Sequence, residues 1–239
     1  MTVAAIVLVL ALVQSMFGVG LLLFGTPALL LMGFSFRDAL WNLLPASLAI
    51  SALQLIAGGP PDYRLARKVV LWSLPAMCVG LWLGVVGGVS IRIDLLVASL
   101  LLLAAYLRHA PSRASPLKDY MVRHEHLTLA VIGGVHGLTN MGGSLLSMYA
   151  AARHDDRFRI TTSIALGYGL FASSQLAVLF ATSAKGEATI NWVTPAVAVT
   201  AYVMAGGTAL RSIDPRSYHR AFSCFMVACA ALLVARTVA

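Results

Sequence analysis

Charge is what this chain lacks. Asp, Glu, Lys and Arg make up 11% of its 239 residues, against about 25% in soluble domains. So few polar side chains cannot cover a soluble surface of this size, and a soluble enzyme is excluded. Acid is scarcest, with 9 Asp and Glu against 17 Lys and Arg, and every carboxylate lies in a loop or at the end of an apolar segment. The carboxylate relays that membrane pumps use for protons or sodium are therefore missing from the apolar core, and a buried cation is poorly provided for. Cysteine is scarce as well: Cys78, Cys224 and Cys229 lie in apolar segments with no metal or redox spacing and read as packing residues. The first twenty residues have no basic residue and no small-residue cleavage pattern after them, so they read as a retained membrane segment, not a signal peptide.

What is abundant is apolar surface. Hydrophobic residues reach 59% and the mean hydropathy is +0.86, which makes this an integral membrane protein in a lipid bilayer. The net charge of +8 reads as the Lys and Arg of loops in a polytopic protein, with no nucleic-acid partner. Eight charge-free segments follow from the gaps between charges: 2–36, 39–61, 69–91, 95–107, 126–152, 160–184, 188–210 and 221–235. Four of them (39–61, 69–91, 160–184 and 188–210) fit a single crossing of about 20 residues. Segments 95–107 and 221–235 are short and need their flanking arginines to snorkel.

Segments 2–36 and 126–152 carry glycines near their middles: Gly18, Gly20 and Gly25 in one, Gly133, Gly134, Gly137, Gly142 and Gly143 in the other. Each reads as a broken helix, since irregular backbone at membrane depth must be buried by protein or line a cavity. The other reading is that these glycines let helices pack closely.

The two broken segments correspond. At an offset of 122, Val13 and Gly20 fall on Val135 and Gly142, and Gln14 falls on His136. Gln54-Leu55 falls on Gln175-Leu176 at an offset of 121; Trp72 and Pro75 fall on Trp192 and Pro195, and Ile93-Asp94 on Ile213-Asp214, at 120. The chain thus divides into a first membrane repeat (1–107), a polar, cytoplasmic linker (108–125) and a second membrane repeat (126–239). Loop charges orient the copies. If all eight segments cross, Lys and Arg divide 9 against 8; if 126–152 enters and leaves on one side, they divide 13 against 4, as the positive-inside rule prefers. The expected fold is an all-α polytopic protein of two inverted repeats, each a re-entrant, broken hairpin plus three transmembrane helices. That pattern belongs to secondary transporters, whose site lies at the repeat interface.

An anion suits such a core, because a half-helix start offers free N–H groups and a positive dipole end. Gln14, His136, Thr139, Asn140 and Ser144 flank the breaks; Asn42, Ser47 and Gln54 follow in one copy, and Ser163, Tyr168 and Gln175 in the other. Each is a candidate ligand or a helix–helix hydrogen bond. His136 lies deepest among the histidines in an apolar segment; either it carries protons as coupling ion, or it stays neutral and hydrogen-bonds within the protein. One such histidine makes no haem or metal site, so no cofactor and no metal are expected.

The run Gly18-Val19-Gly20-Leu21-Leu22-Leu23-Phe24-Gly25-Thr26-Pro27-Ala28-Leu29, then Leu43-Leu44-Pro45-Ala46-Ser47, then His136-Gly137-Leu138-Thr139-Asn140-Met141-Gly142-Gly143, resembles the TauE/SafE sulfite exporter family, also called the 4-toluene sulfonate uptake permeases. The resemblance spans nearly the whole chain and implies a bacterial inner-membrane permease for sulfite, organosulfonates or related small anions. Its motif falls on Gly18, Gly20, Gly142 and Gly143, with Asn140 beside them. Leu21 and Leu22 stand where the family often has further glycines. The expected substrate shell is thus Gln14, Gly18, Gly20, Asn42, Gln54, His136, Thr139, Asn140, Gly142, Gly143, Ser144, Tyr168 and Gln175. Two other functions are open: a passive anion channel, or an intramembrane hydrolase using Ser144 and His136.

Overall fold

The computed structural model describes residues 2–17, 19–85, 93–109, 111–154, 156–183 and 190–205, with scattered positions between 224 and 235. Gly18, the Ile213-Asp214 match and Cys229 lie outside the described residues. Among the described residues every regular element is helical. The chain opens with α1 (Thr2–Phe17), α2 (Leu21–Leu31) and α3 (Phe36–Gly58). A continuous rod follows: α4 (Tyr63–Lys68), a π-helical turn (Val69–Ser73) and α5 (Leu74–Val85). Next come α6 (Ile93–His109) and α7 (Pro111–Arg123), then α8 (Glu125–Thr139), α9 (Gly143–Arg153), α10 (Arg157–Thr182) and α11 (Val193–Ala205).

Among the described residues three stretches are long and apolar enough to cross a membrane: Phe36–Gly58, Tyr63–Val85 and Phe158–Thr182. Their starts differ from the charge-free gaps because caps recruit charged residues. Ser35 accepts from Asp38 N, Asp62 from Arg64 N and Leu65 N, and Asp156 from Phe158 N and Arg159 N, so each helix begins at its charges. The linker is helical too, as α7. The expected span 188–210 is described only through Ala205.

The apolar segments 2–36 and 126–152 each form two helices. At about 1.5 Å per residue, α1 rises about 24 Å and α2 about 16 Å, both short of a 30 Å core. After each break the chain turns back on itself. A Cβ on Gly20 would sit 3.3 Å from Leu10 O and 3.0 Å from Gln14 N; one on Gly142 would sit 2.6 Å from both Ile132 O and His136 Cβ. Leu10, Gln14 and Gly20 are the residues that align with Ile132, His136 and Gly142, so the two turns match residue for residue.

The other glycines divide differently. Cβ atoms on Gly133 and Gly137 would collide with the carbonyl oxygens of Ser73 and Met77, and one on Gly80 would lie 2.6 Å from Gly134 O. These glycines bring α5 and α8 to backbone contact, the close-packing role, while Gly142 and Gly143 form the break. Pro27 lies inside α2. The matched prolines act in two ways. Pro75 cannot donate to the preceding turn, and the rod widens there to the π turn; Pro195 falls in the first turn of α11, where no donor is missed.

Helices far apart in the chain pack together: α5 lies along α8, and α11 lies along α1 and α3. α10 joins two buried apolar clusters: Tyr168, Ala172 and Leu179 pack with α1, α2 and α3, and Leu166 and Phe171 with α5, α8 and α9. Large apolar side chains on the outer faces, such as Leu71, Trp72, Val79, Trp82 and Val131, are exposed, as a lipid-facing surface requires.

The loops fall into two groups by their contacts. Glu125 at the start of α8 is bonded by Lys68, Tyr149 and Arg153, and Arg153 also pairs with Asp62 at 3.6 Å. The outer ends of α8 and α9 therefore meet, beside the loop between α3 and α4. In the other group, Arg37 donates to Thr182 O at 3.1 Å and Asn191 to Asn42 at 3.0 Å.

Candidate functional site

Each break opens a helix without a side-chain cap of the ordinary kind: Gly20 precedes α2 and Gly142 precedes α9, and glycine has nothing to offer the free N–H groups. In the first copy the donor is met from the preceding helix. Gln14 Oε1 accepts from Leu21 N at 3.1 Å, and Gln54 Nε2 on α3 donates to Gln14 O at 3.0 Å. In the second copy the matching residues also meet: His136 Nε2 lies 3.2 Å from Gln175 Oε1 on α10. Because a carboxamide oxygen only accepts, Nε2 carries the proton in this arrangement. Phe171 stacks on the imidazole with centroids 4.6 Å apart, and Tyr168 meets it edge-on at 5.9 Å.

Asn140 ends α8 in the left-handed region, with φ of 60°. Its N–H donates to His136 O at 2.7 Å, a helix-end position that asparagine tolerates better than most residues. Its side chain reaches the first copy, donating from Nδ2 to Thr26 Oγ1 on α2 at 3.0 Å. Thr139 Oγ1 donates to Val135 O and accepts from Met141 N, so it braces the break. The Tyr168 hydroxyl occupies the space beside Gly143, the first residue of α9, where a Cβ would collide with it.

Gln14, Ser47, Ser51, Gln54, His136, Asn140, Tyr168 and Gln175 are all buried, and each has a side-chain atom without a hydrogen-bond partner: Gln14 Nε2, Ser47 Oγ, Ser51 Oγ, Gln54 Oε1, His136 Nδ1, Asn140 Oδ1, Tyr168 OH and Gln175 Nε2. These polar side chains lie on α1, α3 and α10 and at the end of α8, around the two breaks. No Lys, Arg, Asp or Glu is among the buried residues described, and among the described residues no cluster of metal-ligating side chains occurs.

Of the expected shell, Gln14, Gly20, Gln54, His136, Thr139, Asn140, Gly142, Gly143, Tyr168 and Gln175 lie at the two breaks or on the helices against them. Gly18 is outside the described residues. Asn42 is taken up by Asp38 O and Asn191 near the start of α3. Ser144 Oγ donates to Met141 O at 3.2 Å and shares no bond with His136, whose partner is Gln175; the nucleophile–base pair of a hydrolase is not formed. Sequence reasoning missed Thr26, Phe171 and Ser51. Ser51 had a signal, since Ser47, Ser51 and Gln54 stand four and three residues apart on one face of α3.

No curated protein and no solved structure matches the chain. The family model for the sulfite exporter TauE/SafE matches residues 3–233. With that match over nearly its full length, the chain belongs to the sulfite exporter TauE/SafE family, whose members are membrane transporters of sulfite or related anions.

Proposed function

We propose that this protein is a secondary carrier of small anions, sulfite and organosulfonates among them, in the bacterial inner membrane. It binds its substrate between two inverted repeats and alternates access by rocking one against the other. The observation that carries this reading is the pair of equivalent breaks, each opening a helix start that faces buried, unpartnered polar side chains from both neighbouring helices. Free N–H groups and the positive dipole end favour an anion there. Reciprocal packing of α5 on α8 and of α11 on α1 supports inverted copies, because a twofold axis exchanges equivalent contacts. The meeting of the outer ends of α8 and α9 at Glu125 supports re-entry of the second hairpin. His136 acts as a neutral donor that orients Gln175, and among the described residues no carboxylate hydrogen-bonds to it.

The test is anion flux into proteoliposomes of the purified protein, using sulfite, sulfoacetate, acetate and sulfate, with and without a pH gradient. Saturable flux of a sulfur oxyanion with counterflow supports the carrier. Unsaturable flux without counterflow replaces it with a channel, and absence of flux by folded protein removes the reading.

A further inference from the structure

The membrane-depth stretches of α1, α2, α3, α5, α8, α9, α10 and α11, which surround the breaks, come from the charge-free segments 2–36, 39–61, 69–91, 126–152, 160–184 and 188–210. Among the described residues no guanidinium or ammonium is buried with the shell, and two sources of positive potential are found there. One is the start of α2, an eleven-residue helix, where Gln14 is fully buried with Nε2 unpartnered. The other is the start of α9, also eleven residues, where the fully buried and unpartnered Tyr168 hydroxyl lies against Gly143. Each helix start is equivalent to roughly half an elementary charge. The ends of α1 and α8 bring the opposite partial charge to the same breaks, so together the two starts match no more than about one negative charge.

From this we propose that the carrier selects by charge state, taking oxyanions that carry a single negative charge and rejecting the dianions of the same shape. The proposal rests on the anion-carrier reading above. Among the described residues a second negative charge has no buried cation to meet it, and a buried charge without compensation is strongly disfavoured. Neutral donors are plentiful: Gln14 Nε2, Gln175 Nε2 and the hydroxyls of Ser47, Ser51 and Tyr168. The shell also contains acceptors, Gln54 Oε1, Asn140 Oδ1 and His136 Nδ1. Their lone pairs repel a bare dianion, whereas the O–H of a singly protonated oxyanion can donate to them. Hydrogensulfite fits this shell better than sulfite, and a sulfonate better than sulfate.

The experiment compares methanesulfonate, a monoanion at every accessible pH, with methylphosphonate, which has nearly the same shape and loses a second proton near neutrality. Flux of each, and of sulfite, is followed in proteoliposomes from pH 6 to 9 with equal pH on both sides. Methanesulfonate flux is expected to stay level. That flat control also accounts for His136 and Tyr168, the titratable side chains of the shell. Methylphosphonate and sulfite flux, at fixed total concentration, are expected to fall by about tenfold per pH unit above their second ionisation. If either dianion is carried as fast as its monoanion while methanesulfonate still moves, charge selection is overturned and the carrier reading stands. If methanesulfonate and all the others fail to move, both fall together.

Discussion

Asn140 and Thr26 join the two broken segments. The Asn140 amide, at the left-handed end of α8, donates to the Thr26 hydroxyl in the second turn of α2, 114 residues earlier in the chain. The bond lies where one repeat must move against the other if access alternates, and its far side, Asn140 Oδ1, is unpartnered.

Two variants separate the conformation of Asn140 from its chemistry. Asn140→Gly keeps the left-handed backbone and is expected to unfold within a few degrees of the parent, yet to lose most anion flux with the amide gone. Asn140→Leu loses flux as well and adds a strain of about 1–2 kcal/mol, seen as a lower Tm in detergent. Full flux in Asn140→Gly would place the amide outside the transport pathway.

His136→Gln installs in the second copy the residue type that the first has at Gln14. The replacement is expected to keep methanesulfonate flux within about threefold of the parent, with an unchanged pH profile, because a carboxamide can still donate to Gln175. A lost response to a pH gradient in this variant would show that the imidazole carries the coupling proton.

Glu125 fastens the outer end of α8 to Lys68, Tyr149 and Arg153. Burial pushes its carboxyl pKa up, but hydrogen bonds from Lys68 and Tyr149 and the charges of Arg153 and Lys68 outweigh this and hold it below the ordinary carboxylate value. A carboxyl with a depressed folded-state pKa stabilises the fold above its unfolded pKa and ceases to do so as pH falls through the folded value. Glu125→Gln is thus expected to be less stable than the parent near neutrality, by on the order of 2 kcal/mol. The gap should close as pH drops below about 4.3. Thermal unfolding of both proteins over a pH series measures it, and a gap independent of pH would contradict the assignment.

The glycines of α8 should respond by position. Gly133→Ala and Gly137→Ala each drive a methyl into a carbonyl oxygen of the facing rod and are expected to destabilise by about 1–3 kcal/mol. Gly134→Ala, whose Cβ meets nothing within 4 Å, should be tolerated or slightly stabilising, since alanine is the better helix former. Equal losses at all three positions would deny the backbone contact between α5 and α8.

Much of the fold was legible before any coordinates. Charge is so costly in lipid that its absence marks the segments directly, and the two Gly-rich runs marked where the apolar segments 2–36 and 126–152 each divide into two helices. The breaks were legible because glycine at the centre of an apolar segment has few uses. Which glycine served which use was not, since Gly137 and Gly142 differ only in what lies opposite: the Met77 carbonyl in one case and the preceding turn of α8 in the other. Helix starts were misplaced by a few residues for a related reason, as the capping side chains of Ser35, Asp62 and Asp156 draw charged residues into the first turn.

By itself the sequence determined the medium and, through its glycine motifs, the family, because composition and motif are properties of the chain alone. Tertiary structure decided the pairings. That Gln54 reaches Gln14, that Gln175 reaches His136, that Asn140 crosses to Thr26 and that Asn42 is diverted to Asn191 all depend on how helices far apart in the chain are brought together. A hydrogen bond acts over about 3 Å, and no one-dimensional pattern specifies contacts at that range.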